Sequence, residues 1–442
     1  MPGEIASLSA GRSEAGALPE GVRDQMDKIV IRGGQKLKGA VKIGGAKNAV
    51  LPIMAACLLA RGESVVTNVP GLRDVVTMKS VLERLGVRAS LNDHTLRIDT
   101  AAMDGFEAPY DLVRTMRASI YVLGPLLASH GKAKVSLPGG CAWGPRPVDL
   151  HIRAMQELGA QIEIEHGYII ASSSGLKGRP IKFSIASVGA TANTMMAAAT
   201  AEGKTQIINA AKEPEIVALA EFINKMGGAV TGAGTDTIEI EGVKSLRPTE
   251  FATIPDRIET GTYMIAGAIT AGKIEIKDCC PQHVDSLSMV LRQAGVGVEC
   301  SGGTISIKGR RDIASVDVLT SPYPGFPTDL QAQYMALMSV ARGNSIISET
   351  IFKDRFTHVP ELRRLGADIK IEGNTAHVGY VKRLSGAPVM ATDLRASAAL
   401  VLAGLVADGE THISRVYHID RGYEGIESKL GGLGALIERV PE

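Results

Sequence analysis

Apolar residues recur along the chain in two alternating patterns. The first has a helical period with a polar face and is closed each time by a glycine, at Gly86, Gly159, Gly227, Gly295, Gly366 and Gly434. The segments ahead of these glycines (74–85, 148–158, 215–226, 284–294, 359–365 and 425–433) are predicted to be amphipathic helices. Each ends where glycine accepts the left-handed conformation just past the last turn. Short alternating runs follow, such as Gln161-Ile162-Glu163-Ile164-Glu165 and Asp368-Ile369-Lys370-Ile371-Glu372, and predict half-buried strands.

The second pattern is rich in alanine and apolar nearly all round, at 49–60, 118–128, 190–201, 260–270, 330–341 and 396–407. Helices without a polar face must be buried. One outer helix, one inner helix and several strands thus recur six times at a spacing of about 70 residues, which makes the chain a repeat protein. Sheets wrapped around buried helices satisfy both patterns. Three repeats make a domain of about 200 residues, so two such domains account for the length.

The chain has 442 residues, too many for one ordinary core, which agrees with two domains. Lys and Arg total 48 against 47 Asp and Glu, so the net charge of +1 offers no field for nucleic acid or an acidic membrane. Basic residues must therefore matter locally. The five cysteines, Cys57, Cys141, Cys279, Cys280 and Cys300, include no CxxC pair and no matching histidine cluster. A disulfide framework and a zinc site are both disfavoured, and a reducing cytoplasm fits best. Residues 1–25 are rich in Gly, Ser, Ala and Glu and read as a flexible tail. No apolar run reaches the ~18 to 20 residues needed to cross a bilayer.

Candidate chemistry sits at the helix starts. Lys47, Arg117, Gly189, Arg257, Asp329 and Arg395 occupy one phase of the repeat at the inner helices, and Arg73, Arg146, Arg355 and Arg421 stand at the starts of outer helices. A helix N-terminus carries partial positive charge, so a cation there costs roughly 0.3–1 kcal/mol unless an anion is close. Two explanations exist. The cations line a cleft for a multiply anionic ligand, or they pair with carboxylates such as Asp74, Asp149, Glu259, Asp354, Asp393 and Asp420. Pairing alone leaves the repeated placement at dipole-positive ends unexplained, which favours the cleft. No metal-binding motif competes.

The segment 137–151 reads LPGGCAWGPRPVDLH. Gly139 and Gly140 allow close approach of backbone to ligand, while Pro138, Pro145 and Pro147 restrict the rest, so the segment is expected to be an ordered but movable lid around Cys141. A surface loop with an incidental thiol is the alternative.

Nine segments carry a resemblance to a known family: GGAKNAVLPI (44–53), VRTMRAS (113–119), LPGGCAWGPRPVDLH, SVGAT (187–191), PDRIETGTY (255–263), FPTDLQAQ (326–333), FKDRFTHVPEL (352–362), ATDLRASA (391–398) and YHIDRGYEGIE (417–427). In this order they closely resemble the UDP-N-acetylglucosamine 1-carboxyvinyltransferases, a family of enolpyruvyl transferases, from about Met26 to the C-terminus. The resemblance implies an α/β fold, a two-domain inside-out α/β barrel of six similar strand-helix repeats, three per domain. One domain would be 26–47 plus 256–442 and the other 48–255.

It also implies phosphoenolpyruvate and UDP-N-acetylglucosamine as substrates in peptidoglycan synthesis, without metal or organic cofactor. Cys141 would be the proton donor and Asp329 the base toward the sugar hydroxyl. Lys47, Asn48, Arg146, Arg395 and Arg421 would hold phosphoenolpyruvate. Asn48, Arg117, Arg146, Pro147, Val148, Asp149, Leu150, Ser187, Val188, Asp329 and Ile351 would contact the nucleotide sugar. Two positions depart from the family pattern: Ile185 stands where a Lys is common, and Trp143 where a smaller residue is usual. The sister enzymes that act on shikimate 3-phosphate share the repeat but lack the cysteine loop. A non-catalytic UDP-sugar-binding paralogue would be expected to lose the acid or the base, and both are present here. The resemblance gives no oligomeric state.

Overall fold

The computed structural model describes residues 27–113, 116–137 and 148–442. Among these the strands form six four-stranded sheets, each combining one parallel pair with antiparallel neighbours. In the first, Glu63–Thr67 lies between a parallel partner, Glu250–Ala252, and an antiparallel one, Thr95–Asp99, which also pairs with Arg88–Asn92. The N-terminal strands serve the other end of the chain. Lys38–Lys42 pairs in parallel with Lys273–Lys277, and Asp27–Arg32 lies between Glu410–Ser414 and Leu436–Pro441.

The outer helices run Arg73–Arg84, Asp149–Glu157, Pro214–Lys225, Asp285–Gln293, Val359–Arg364 and Ile426–Gly432. Each falls within a few residues of its predicted span. All six closing glycines take φ between 87° and 99°, which a side-chain-bearing residue would adopt only under strain. The alternating strands turn one face inward, as in Asp27–Arg32, where Ile29 and Ile31 are buried.

The inner helices need correction at both ends. They run Lys47–Ala56, Leu123–His130, Val188–Ala198, Arg257–Ile269, Gln331–Met338 and Leu394–Gly404. Most stop earlier than the apolar runs, because the turns that follow are buried too: Ala60, Ala201, Ala341 and Ala407 are all at most 5% exposed. Two are also shorter at the start, since 3-10 turns, Arg117–Val122 and Thr328–Leu330, precede the helix proper. The helices nonetheless lie inside and the sheets outside, as the absence of a polar face demands.

The buried side chains form two separate cores. One is drawn from Ala46 to Leu246, the other from Ile29 to Ile43 together with Ile258 to Ala435. The chain passes between these halves twice, side by side: Ala46 N–H donates to Ile254 O at 2.8 Å and Asp256 N–H to Gly44 O at 2.9 Å. The 3-10 turn Thr328–Leu330 packs directly on the helix Arg257–Ile269, where a Cβ on Gly261 would collide with Leu330 Cδ1. Gly261→Ala is therefore expected to destabilise the fold by about 1–3 kcal/mol, measurable by denaturant unfolding.

Candidate active site

The two side-by-side crossings bring helix N-termini from both halves together. Asp256 caps its own helix, accepting from the N–H groups of Ile258 at 2.7 Å and Glu259 at 3.0 Å, while its second oxygen accepts from Lys47 N–H at 3.3 Å. One carboxylate thus serves two helix starts. Asp393 caps the helix Leu394–Gly404 in the same way, through the N–H groups of Arg395 and Ala396. Such caps are worth roughly 0.5–2 kcal/mol and offset the adverse placement of Arg257 and Arg395 beside dipole-positive ends. The residue ahead of the helix Lys47–Ala56, Ala46, makes no side-chain cap bond, so the carboxylate at that helix start comes from Asp256.

Around this point four cations meet two carboxylates. The Asp74 carboxylate accepts from Lys47 Nζ at 3.1 Å and from Arg421 Nε at 2.9 Å, joining the two halves. Asp329 accepts from Arg355 at 2.8 Å and from Arg395 at 2.9 Å. Lys47, Asp74, Arg355 and Arg395 are buried. Burial pushes the Lys47 ammonium below its ordinary pKa; Arg395 and Arg421 push it the same way, and Asp74 opposes them. The Asp329 carboxyl is raised by burial but lowered more by Arg395 and Arg355, which hold it well below the usual carboxylate range. With these six and the buried Asp256 carboxylate, whose charge also bears on Arg395, all ionised, four cations face three carboxylates and one positive charge is in excess. Removing ions from water costs several kcal/mol each, so this arrangement is costly without a further anion.

Both explanations for the cations at the helix starts therefore hold in part. They do pair with carboxylates: among the described residues Asp74, one of the six candidates, takes Lys47 and Arg421, and Asp329 takes Arg355 and Arg395. Asp420 instead binds Arg439, and Glu259 binds Lys429. Arg257 pairs with Glu215 at 2.9 Å, a second link between the halves.

The residues expected at the nucleotide sugar fall on several elements. Asn48 is half-buried beside Lys47. Ser187 caps the helix Val188–Ala198 by accepting from Ala190 N–H. On the neighbouring helix Asp149–Glu157, Asp149 is exposed and Leu150 buried, with half-buried Val148 just before it. His151 joins the two stretches: its Nδ1 lies 3.1 Å from Asn193 Nδ2, and its Nε2 would touch a Cβ on Gly189 at 3.0 Å. Burial holds the His151 pKa at about 4, so it is neutral at pH 7.

Glu349 carries no exposed surface and organises the turn that bears Asp329. It accepts from Thr328 Oγ1 at 2.7 Å and from the Ile351 and Phe352 N–H groups at 2.8 and 3.1 Å. Thr328 in turn accepts from Arg355 at 2.8 Å. Tyr423, within hydrogen-bond reach of Arg395, Gln333 and Thr262, plays the matching part behind Arg395. Sequence reasoning missed Glu349 and Tyr423. Tyr423 had only its place inside YHIDRGYEGIE as a signal, and Glu349 had none.

Cys141, Arg146 and Pro147 lie outside the described residues, as do Trp143, the tail 1–25 and the side chain of Arg117. Among the described cysteines, burial pushes the Cys57 thiol up to about 12 and the Cys279 thiol up to about 11. Neither is a thiolate at neutral pH. Ile185 is exposed. Among the described residues no helix is long and apolar enough to cross a membrane.

Residues 31–430 match the EPSP synthase (3-phosphoshikimate 1-carboxyvinyltransferase) family. The chain is 56% identical over 418 residues to the UDP-N-acetylglucosamine 1-carboxyvinyltransferase of Trichlorobacter lovleyi, covering 94% of this chain and 100% of that protein. The chain belongs to the enolpyruvyl transferase family. The Myxococcus xanthus protein of the same name as the Trichlorobacter one is 54% identical over 417 residues, 94% of this chain and 99% of that one. Among solved structures, the enolpyruvyl transferase NikO from Streptomyces tendae superposes with a TM-score of 0.85 at 24% identity, over 94% of this chain and 99% of that one. EPSP synthase from Acinetobacter baumannii follows with 0.72 at 18%, over 94% and 100%. At these identities the likeness is one of fold. It places the six-repeat inside-out architecture within the enolpyruvyl transferases.

Proposed function

We propose that this enolpyruvyl transferase moves the enolpyruvyl group of phosphoenolpyruvate to the 3-hydroxyl of UDP-N-acetylglucosamine and releases phosphate, the committed step into bacterial peptidoglycan. The observation that carries this reading is the full-length identity of 56% to proteins named for that transfer. The excess of cations over carboxylates at the junction of the halves supports it, because phosphoenolpyruvate brings both a phosphate and a carboxylate. The halves 48–255 and 26–47 with 256–442 act as two domains with the site between them. The reaction takes place in the cytoplasm.

The sugar oxygen attacks C2 of phosphoenolpyruvate while a proton is added to its C3, giving a tetrahedral adduct. Loss of a C3 proton then restores the double bond as phosphate leaves with its bridging oxygen. Cys141 supplies the C3 proton. Asp329, anchored by two guanidinium groups, orients the attacking hydroxyl and takes its proton as the C–O bond forms; its low pKa means it holds that proton only briefly before passing it to the phosphate or to solvent. Lys47, Arg146, Arg395 and Arg421 hold the phosphoenolpyruvate anion with Asn48 beside them. Fixed cations of this kind stabilise developing charge without reorganising. Arg117, 146–150, Ser187, Val188 and Ile351 line the nucleotide-sugar side.

The acceptor separates this reading from its rival. With phosphoenolpyruvate and UDP-N-acetylglucosamine, mass spectrometry is expected to find the acceptor plus one enolpyruvyl unit. Shikimate 3-phosphate in its place should give no product; a product from it alone would replace this reading with that of the sister enzyme.

A further inference from the structure

Asp74 lies among the site cations, yet it has the wrong charge to bind an anionic substrate. It stands in the first turn of the helix Arg73–Arg84, is 4% exposed, and spends one oxygen on each of Lys47 and Arg421. Lys47 sits at the start of a helix whose preceding residue, Ala46, offers no side-chain cap, and its ammonium faces Arg395 from the helix Leu394–Gly404 and Arg421 from the 3-10 helix Val416–Arg421. Two negative groups from the described residues bear on this lysine. Asp74 takes the ammonium itself, while Asp256 takes its backbone N–H. A buried amine crowded by two guanidinium groups and a helix dipole loses its proton unless a carboxylate opposes them. A neutral amine attracts no phosphate.

We propose that Asp74 is a positioning residue that keeps Lys47 charged and aimed in the empty site, and yields it to the anion when phosphoenolpyruvate binds. This rests on Lys47 being a phosphoenolpyruvate ligand. Asp74 does not touch the reacting atoms. A purely structural role, clamping the two halves through Arg421, would affect stability alone. A charge-holding role also moves the pH range in which the anion binds. Without Asp74 the lysine deprotonates at lower pH, so binding weakens at lower pH.

The test is calorimetric binding of phosphoenolpyruvate with UDP-N-acetylglucosamine present, from pH 6.5 to 10. All proteins carry Cys141→Ser, so that no thiol titrates in the cysteine loop. In Asp74→Asn the alkaline loss of affinity is expected to begin at least one pH unit lower, which near pH 8 is about a tenfold rise in Kd. Asp74→Glu should restore the parent curve. An unchanged curve in Asp74→Asn, with only a lower melting temperature, would overturn the proposal and leave Asp74 as a clamp. Should the Asn variant not fold, Lys47→Arg gives the second reading, because a guanidinium stays charged throughout. Its alkaline limb should vanish, and a limb that persists would show that Lys47 is not its source. Turnover of the unmodified enzyme is measured separately, so a failure of the assigned reaction is not mistaken for a failure at Asp74.

Discussion

Cys141→Ala is expected to lower turnover by about 10²–10⁴-fold, the usual worth of a positioned general acid. Cys141→Asp should retain more, since a carboxyl also delivers a proton. Equal activities in the two variants would make Cys141 a packing residue. The same thiol poses an electrostatic problem. In the proposed site, Arg146 and the cations that hold phosphoenolpyruvate are expected to favour a thiolate at Cys141, below the ordinary thiol pKa near 8.5. An acid must be protonated. Bound phosphoenolpyruvate is expected to resolve the conflict by offsetting the local positive charge, which predicts a thiol that is reactive in the empty site and acidic in the filled one. Alkylation rates against pH should therefore show a higher thiol pKa with phosphoenolpyruvate than without, and a ligand-independent pKa would contradict this account.

Asp329→Ala is expected to cost about 3–5 kcal/mol of stability as well as turnover. It leaves Arg355 and Arg395, each 5% exposed, without the carboxylate they share. Asp329→Asn keeps the shape and loses less stability, but it removes the charged acceptor for the sugar hydroxyl, so its turnover should fall about 10²–10⁴-fold. The pH dependence has a definite sign. The folded-state pKa of Asp329 is depressed, so its stabilisation is fully present above the unfolded value near 3.9 and is lost as pH falls through the lower folded value. The difference in unfolding free energy between wild type and Asp329→Asn should be flat from pH 5 to 8 and shrink below pH 4. A difference that grows toward acid would contradict the paired carboxylate.

Much of the fold was legible because local rules and tertiary packing agree. Gly86 and its five counterparts mark helix ends in the chain and take the left-handed conformation in the structure. The inner helices were legible as buried but not in length, since Ala407 is as apolar as Ala403 although the chain has already turned by then. At the site, the cations at helix starts stood out against the helix dipole. Asp74 was legible as a candidate partner, but not which cations it would take: Asp74 and Arg421 are 347 positions apart, and only the return of the chain through both crossings brings them together. Glu349 was invisible for a different reason. Its role lies in hydrogen bonds to Thr328 and to two backbone N–H groups, and such bonds leave no periodic trace.

The central claim is the transfer itself, and it is tested most directly by following inorganic phosphate released from phosphoenolpyruvate by the purified protein with and without UDP-N-acetylglucosamine. The account predicts release that requires the nucleotide sugar and matches the enolpyruvyl product mole for mole. Absence of release in the presence of both substrates, or release that ignores the nucleotide sugar, would contradict it.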